Sequence, residues 1–123
     1  MPKKSLILIV DDEEDIRESV KNLLEDNNFE VETAENGEAC LKKLKIIKPN
    51  LILLDILMPG MTTKEIISKV NKLYPKLPII FLTVVRLAEA TKQQLIQGKI
   101  IDYIEKPFDN KDLLTRIKRI LMI

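Results

Sequence analysis

Four short apolar runs punctuate the chain: Leu6 to Val10, Leu51 to Leu54, Ile79 to Leu82, and Ile100 to Ile104, the last interrupted by Asp102. The first three do not alternate with polar residues, which is the pattern of strands covered on both faces in a parallel sheet. Phe29 to Thr33 (FEVET) alternates strictly, as a half-exposed edge strand does. Between these runs apolar residues recur at helical spacing: Ile16, Val20, Leu23 and Leu24; Ile66, Ile67, Val70 and Leu73; Leu113, Leu114, Ile117, Ile120 and Leu121. Asn36 and Asp109 stand where N-caps belong, and Pro49 and Pro75 fall where helices have already ended. A weaker helix is expected near residues 88–97, where Leu87, Ala88, Leu95 and Ile96 cover only a narrow face. The order reads βαβαβαβαβα. That alternation implies a doubly wound α/β fold, with a five-stranded parallel sheet, right-handed crossovers and helices on both sides.

Composition narrows the function. A chain of 123 residues suits one core, and no repeat, low-complexity tract or linker divides it, so a single domain over residues 1–123 is expected. Its 20 basic and 19 acidic residues nearly cancel, so no global field draws it to nucleic acid or an anionic membrane. Any charge-based function must be local. The single cysteine, Cys40, excludes an internal disulfide and reads as a small buried side chain in a reducing cytoplasm. No apolar run approaches the roughly 20 residues that span a bilayer, and the start MPKKSLILIVDD lacks the length and cleavage site of a signal peptide, so a cytoplasmic location is expected. With no histidine, Ser-His-Asp and Cys-His catalysis and imidazole metal ligation are ruled out. Carboxylates, hydroxyls and lysines must carry the chemistry.

Ligands of open α/β sheets collect at the carboxyl ends of the strands. Here the first strand ends in Asp11 and Asp12, the third in Asp55 and the fourth in Thr83, and the fifth runs into Lys106. Glu13, Glu14 and Asp15 fit the first turn of the first helix, where acids face water and interact well with its dipole. Asp11 and Asp12 are not needed as caps. If the first and third strands are neighbours, both lie near Asp55, and at about 4 Å and an effective dielectric near 20 each carboxylate pair costs on the order of 4 kcal/mol. Protonation, a lysine or a bound cation must relieve that repulsion. Lys106 offsets one charge, and hard oxygen ligands without histidine or thiolate favour Mg²⁺. Asp55 is then the natural nucleophile for a phosphoryl group, with Thr83 donating a hydrogen bond to one phosphoryl oxygen and Lys106 pairing with another.

The segments IVDDEED, LLDILMPGM, IIFLT and DYIEKPF, in this order and at these separations, resemble the CheY-like receiver domain of two-component response regulators over essentially the whole chain. The resemblance implies the flavodoxin-like strand order 2-1-3-4-5 and a phosphorelay switch rather than an enzyme. Asp55 matches the phosphoacceptor, loaded by the histidine of a sensor kinase or phosphotransfer protein. Asp12 matches a direct Mg²⁺ ligand, Asp11 a ligand through water, and the Leu57 carbonyl a further oxygen. Thr83 matches the switch hydroxyl and Tyr103 the aromatic that turns inward with it. Lys106 matches the phosphate-binding lysine, joined to Pro107 by a cis bond. Output would leave through the fourth helix, fifth strand and fifth helix, toward a downstream protein, a fused output domain or a phosphorylation-dependent homodimer. Neither direct nucleic-acid binding nor membrane insertion is implied.

The departures from the family pattern carry information too. Val84 replaces the usual small residue after Thr83, while Leu57 and Val85 occupy positions that often orient attacking water. Apolar groups there cannot hold water, so slow self-hydrolysis of the aspartyl phosphate is expected. GKIIDY is one residue longer than the usual spacing from glycine to aromatic, which points to an unusual loop before the fifth strand. Thr62 and Thr63 replace the common Asp-Gly and offer a helix cap instead. The basic residues Lys111, Arg116, Lys118 and Arg119 read as a solvated helix face. The chief rival is a degenerate receiver serving only as a protein-interaction module. A haloacid-dehalogenase-like phosphatase would need an acid at Leu57, and a flavodoxin-like cofactor binder would need a phosphate loop where DDEED stands.

Overall fold

The computed structural model describes residues 4–56, 60–83 and 100–123. Leu57, Met58, Pro59, Val84, Val85 and the helix expected near residues 88–97 lie outside them. In chain order the elements are β1 (Leu6–Val10), α1 (Glu14–Glu25), β2 (Glu30–Ala34), α2 (Gly37–Leu44), β3 (Leu51–Asp55), α3 (Thr63–Leu73), β4 (Ile79–Thr83), β5 (Ile100–Glu105) and α4 (Asn110–Leu121). The strands form one sheet in the order β2-β1-β3-β4-β5, and every neighbouring pair is parallel.

Because side chains alternate across a strand, each central strand feeds two cores. Leu8, Val10, Ile52, Leu54, Ile79 and Phe81 pack with Cys40 and Leu44 of α2 and Ile66 and Val70 of α3. Ile7, Ile9, Leu51, Leu53, Ile80 and Leu82 meet Val20 and Leu24 of α1 and Leu113 and Ile117 of α4. This two-sided burial is why β3 and β4 show no polar alternation: all five residues of each are buried. Burial raises the Cys40 thiol pKa to about 12, so this cysteine is packing material.

The helix starts follow their caps. Asn36 accepts from the Ala39 N–H, Asp109 from the Lys111 N–H and Thr62 from the Glu65 N–H, with the Thr62 hydroxyl donating back to Glu65 Oε1. The edge strand begins at Glu30 rather than Phe29. The Phe29 N–H is taken by the Leu24 carbonyl as α1 ends, after Asn28 turns the chain at φ 70°.

Two other details depart from the sequence reading. Ile79 pairs with Ile100 but Ile80 with Asp102, so a surplus residue, Ile101, forms a bulge inside β5 itself. Arg116, grouped above with solvated cations, instead ties α4 to that strand. Its Nη1 donates to both Asp102 oxygens at 2.8 Å and to the Tyr103 carbonyl at 3.3 Å, and its Nε donates to Asp112 at 3.1 Å. A planar guanidinium satisfies several acceptors at once, which a helix-face charge count does not anticipate.

Candidate functional site

In the parallel register Val10 lies opposite Leu54, so Asp11 and Asp55 leave adjacent strands side by side. Carboxylate oxygens of Asp11, Asp12 and Asp55 come within 4.8 Å of one another. Asp11 is 0% exposed and Asp55 4%, whereas Asp12 faces solvent. All four polar groups of Asp11 are engaged. Its N–H donates to the Ala34 carbonyl at 3.1 Å, its carbonyl accepts from Arg17 Nη1 at 2.8 Å, and Oδ1 accepts from the Glu13 N–H at 3.0 Å. Oδ2 accepts from Lys106 Nζ at 2.6 Å. Asp11 is thus more than a bare acid at a strand end. It also orders the turn that leads into α1.

Lys106 extends the sheet beyond β5, its N–H donating to the Thr83 carbonyl at 2.6 Å, and its bond to Pro107 is cis. With its side chain only 7% exposed, the ammonium faces Asp11 Oδ2 at 2.6 Å, Asp55 Oδ2 at 3.6 Å and Glu13 Oε1 at 3.9 Å. Burial works to lower the lysine pKa. The Asp11 hydrogen bond and the charges of Asp11, Asp55 and Glu13 outweigh it, and the net shift is upward. Thr83 ends β4, fully buried, opposite Glu105 of β5. Tyr103 lies half-buried on β5, its N–H donating to Asp102 Oδ1 at 2.8 Å, and packs on the core beneath α2 and α3.

Asp11, Asp12, Asp55, Thr83 and Lys106 therefore meet at one edge of the sheet, with Tyr103 two strand residues before Glu105. Leu57, Val84 and Val85 fall outside the described residues. Sequence reasoning missed two participants. Glu13 holds the N-cap position of α1 without a side-chain cap bond, and only Glu14 and Asp15 occupy the first turn. Arg17, read as an ordinary helix residue, reaches back to the Asp11 carbonyl. An acid or a base in a first turn looks the same in sequence whether or not a distant strand brings it a partner.

The cluster offers only hard oxygen donors, which suits Mg²⁺ better than a thiophilic or imidazole-seeking metal. A parallel sheet in this order, with such an acidic cluster at its carboxyl edge, defines a doubly wound α/β protein of the CheY-like, flavodoxin-like class. Residues 7–118 match the response regulator receiver domain, and the chain belongs to that family. It is 36% identical over 115 residues to the transcriptional regulatory protein ResD of Bacillus subtilis, an alignment covering 94% of this chain and 47% of ResD. The chain thus spans about half the length of that curated relative. Among solved structures, chemotaxis protein CheY4 of Vibrio cholerae superposes with a TM-score of 0.89 at 32% identity, covering 96% of this chain and 99% of that one. A CheY-like receiver domain protein from Methanospirillum hungatei gives 0.90 at 34% identity, covering 98% and 95%. The chain is accordingly a signalling domain of the two-component type.

Proposed function

We propose that residues 1–123 form one receiver unit that accepts a phosphoryl group on Asp55 from the histidine of a sensor kinase or phosphotransfer protein. The observation that carries this reading is the joint placement of three carboxylates within 4.8 Å of one another and a buried lysine 3.6 Å from Asp55. An Asp55 oxygen attacks phosphorus as the P–N bond to the donor imidazole breaks, its electron pair staying on that nitrogen, and the ring leaves neutral because its other nitrogen already carries a proton. Lys106 pairs with a phosphoryl oxygen and the Thr83 hydroxyl donates to another. Asp12 and Asp55 would hold Mg²⁺ directly, with the Leu57 carbonyl as the further oxygen that the family resemblance implies. Asp11 would do so through water, in keeping with the hydrogen bonds its two oxygens already accept. When bound, the ion supplies positive charge that offsets the carboxylates and the incoming group.

Movement of Thr83 toward the phosphoryl group lets Tyr103 turn inward, and output leaves through β5, α4 and the helix expected near residues 88–97. An open concavity between β5 and α4, lined by Tyr103, Phe108, Asp112 and Arg116, supports this face as a docking surface for a downstream protein, a fused output domain or a second copy. No helix of the described residues is long and apolar enough to cross a membrane. A small phosphodonor with Mg²⁺, followed by intact mass, tests the reading. A phosphoryl adduct is expected on the wild type and not on Asp55→Ala. The apolar Leu57, Val84 and Val85 give that adduct a lifetime well beyond seconds, and decay within seconds in Mg²⁺ would contradict it.

A further inference from the structure

The acids of the site differ in how they meet solvent. The side chains of Asp11, Asp55 and Lys106 are 0%, 5% and 7% exposed, whereas the Glu13 side chain is 59% exposed. The hydrogen bond from the Glu13 N–H to Asp11 Oδ1 fixes where its backbone sits, and its carboxylate reaches to 3.9 Å from Lys106 Nζ. Glu13 therefore puts a solvent-exposed carboxylate within reach of the buried ammonium that an incoming phosphoryl oxygen must meet. That ammonium is already committed to Asp11 at 2.6 Å and shared with Asp55 at 3.6 Å, so Glu13 competes for what remains.

We propose that Glu13 is an electrostatic gate, a specificity residue that disfavours small, highly charged phosphodonors at Asp55. This rests on the reading of Asp55 as phosphoacceptor. Three carboxylates, from Asp11, Glu13 and Asp55, share the Lys106 ammonium, with Asp12 beside Asp11 and Asp55, while the Arg17 guanidinium is turned to the Asp11 carbonyl. An approaching dianion meets repulsion from Glu13 and must displace it from Lys106, whereas a monoanion meets roughly half that repulsion. A protein donor overcomes the gate with docking contacts that a small molecule lacks. The gate lies on the exposed side, so salt screens it, with a Debye length of about 8 Å at physiological ionic strength.

The test measures the rate of adduct formation on the full chain with Mg²⁺, by intact mass, for wild type, Glu13→Gln and Glu13→Asp. The donors are acetyl phosphate, a dianion near neutral pH, and phosphoramidate, largely a monoanion. Glu13→Gln is expected to speed acetyl phosphate about two- to fivefold at low salt and phosphoramidate less, with the gap closing at high salt. Glu13→Asp keeps the charge and stays close to wild type. Equal rates for wild type and Glu13→Gln overturn the gate while leaving Asp55 as acceptor. So does a change of the same size for both donors that salt does not alter, since that marks a structural role. Absence of any adduct on wild type with both donors overturns the Asp55 reading and the gate with it.

Discussion

Lys106 is the residue on which the site's charge balance turns. Its ammonium lies within 3.9 Å of three acids, one of them wholly buried. Replacing it in Lys106→Met strands the Asp11 carboxylate in a buried setting, at a cost of about 3 kcal/mol by the usual penalty for breaking a buried pair. Urea denaturation in the presence of chelator is expected to show this loss, and added Mg²⁺ to recover part of it. The pH dependence has a definite sign. The folded pKa lies above the ordinary 10.5, so the lysine's contribution is complete below that value and fades as pH rises through the folded pKa. The stability gap between wild type and Lys106→Met is therefore flat from neutral pH upward until it narrows in strong alkali. At this scale Asp11, Asp12, Asp55 and Lys106 were legible because an acid or lysine just past a buried strand is anomalous. Glu13 and Arg17 were not, because their roles depend on partners that the turn into α1 brings to them.

At the scale of elements, α2 and α3 meet tightly at Gly37. A Cβ built on Gly37 would lie 2.8 Å from both Cγ1 and Cδ1 of Ile66 and 3.3 Å from Cβ of Met61. Ile66 is almost fully buried, and its Cγ1 cannot swing away without disturbing the core beneath α3. Gly37→Ala is expected to destabilise the fold by about 1–2 kcal/mol in thermal melts, despite alanine's better helix propensity, because overpacking exceeds that gain. Unalternated strands and side-chain caps are local signals, and they placed β1, β3, β4 and the starts of α2, α3 and α4 within a residue or so. The bulge at Ile101 and the Arg116 ties are products of pairing across the sheet. The additional residue in GKIIDY showed that spacing had changed, but only the β4–β5 register puts a surplus inside the strand.

At the scale of the whole molecule, metal binding and folding are linked. An ion that binds only the folded chain adds about 2.7 kcal/mol at a hundredfold excess over its dissociation constant. Mg²⁺ is expected to raise the melting temperature of the wild type in a concentration-dependent way, and chelation to reverse it. Asp12→Asn should blunt the shift without lowering the melting temperature of the metal-free protein, since it removes repulsion from the cluster. By itself the sequence determined the alternation of strands and helices, the burial of the sheet on both sides and the residue types at each strand end, because hydrophobic period and strand length are written locally. Tertiary structure alone decided that Lys106 serves three carboxylates, that the exposed Glu13 comes within 3.9 Å of it and that Arg116 grips β5. Each of those depends on a distance between segments remote in the chain, and such distances exist only once parallel pairing has fixed the register.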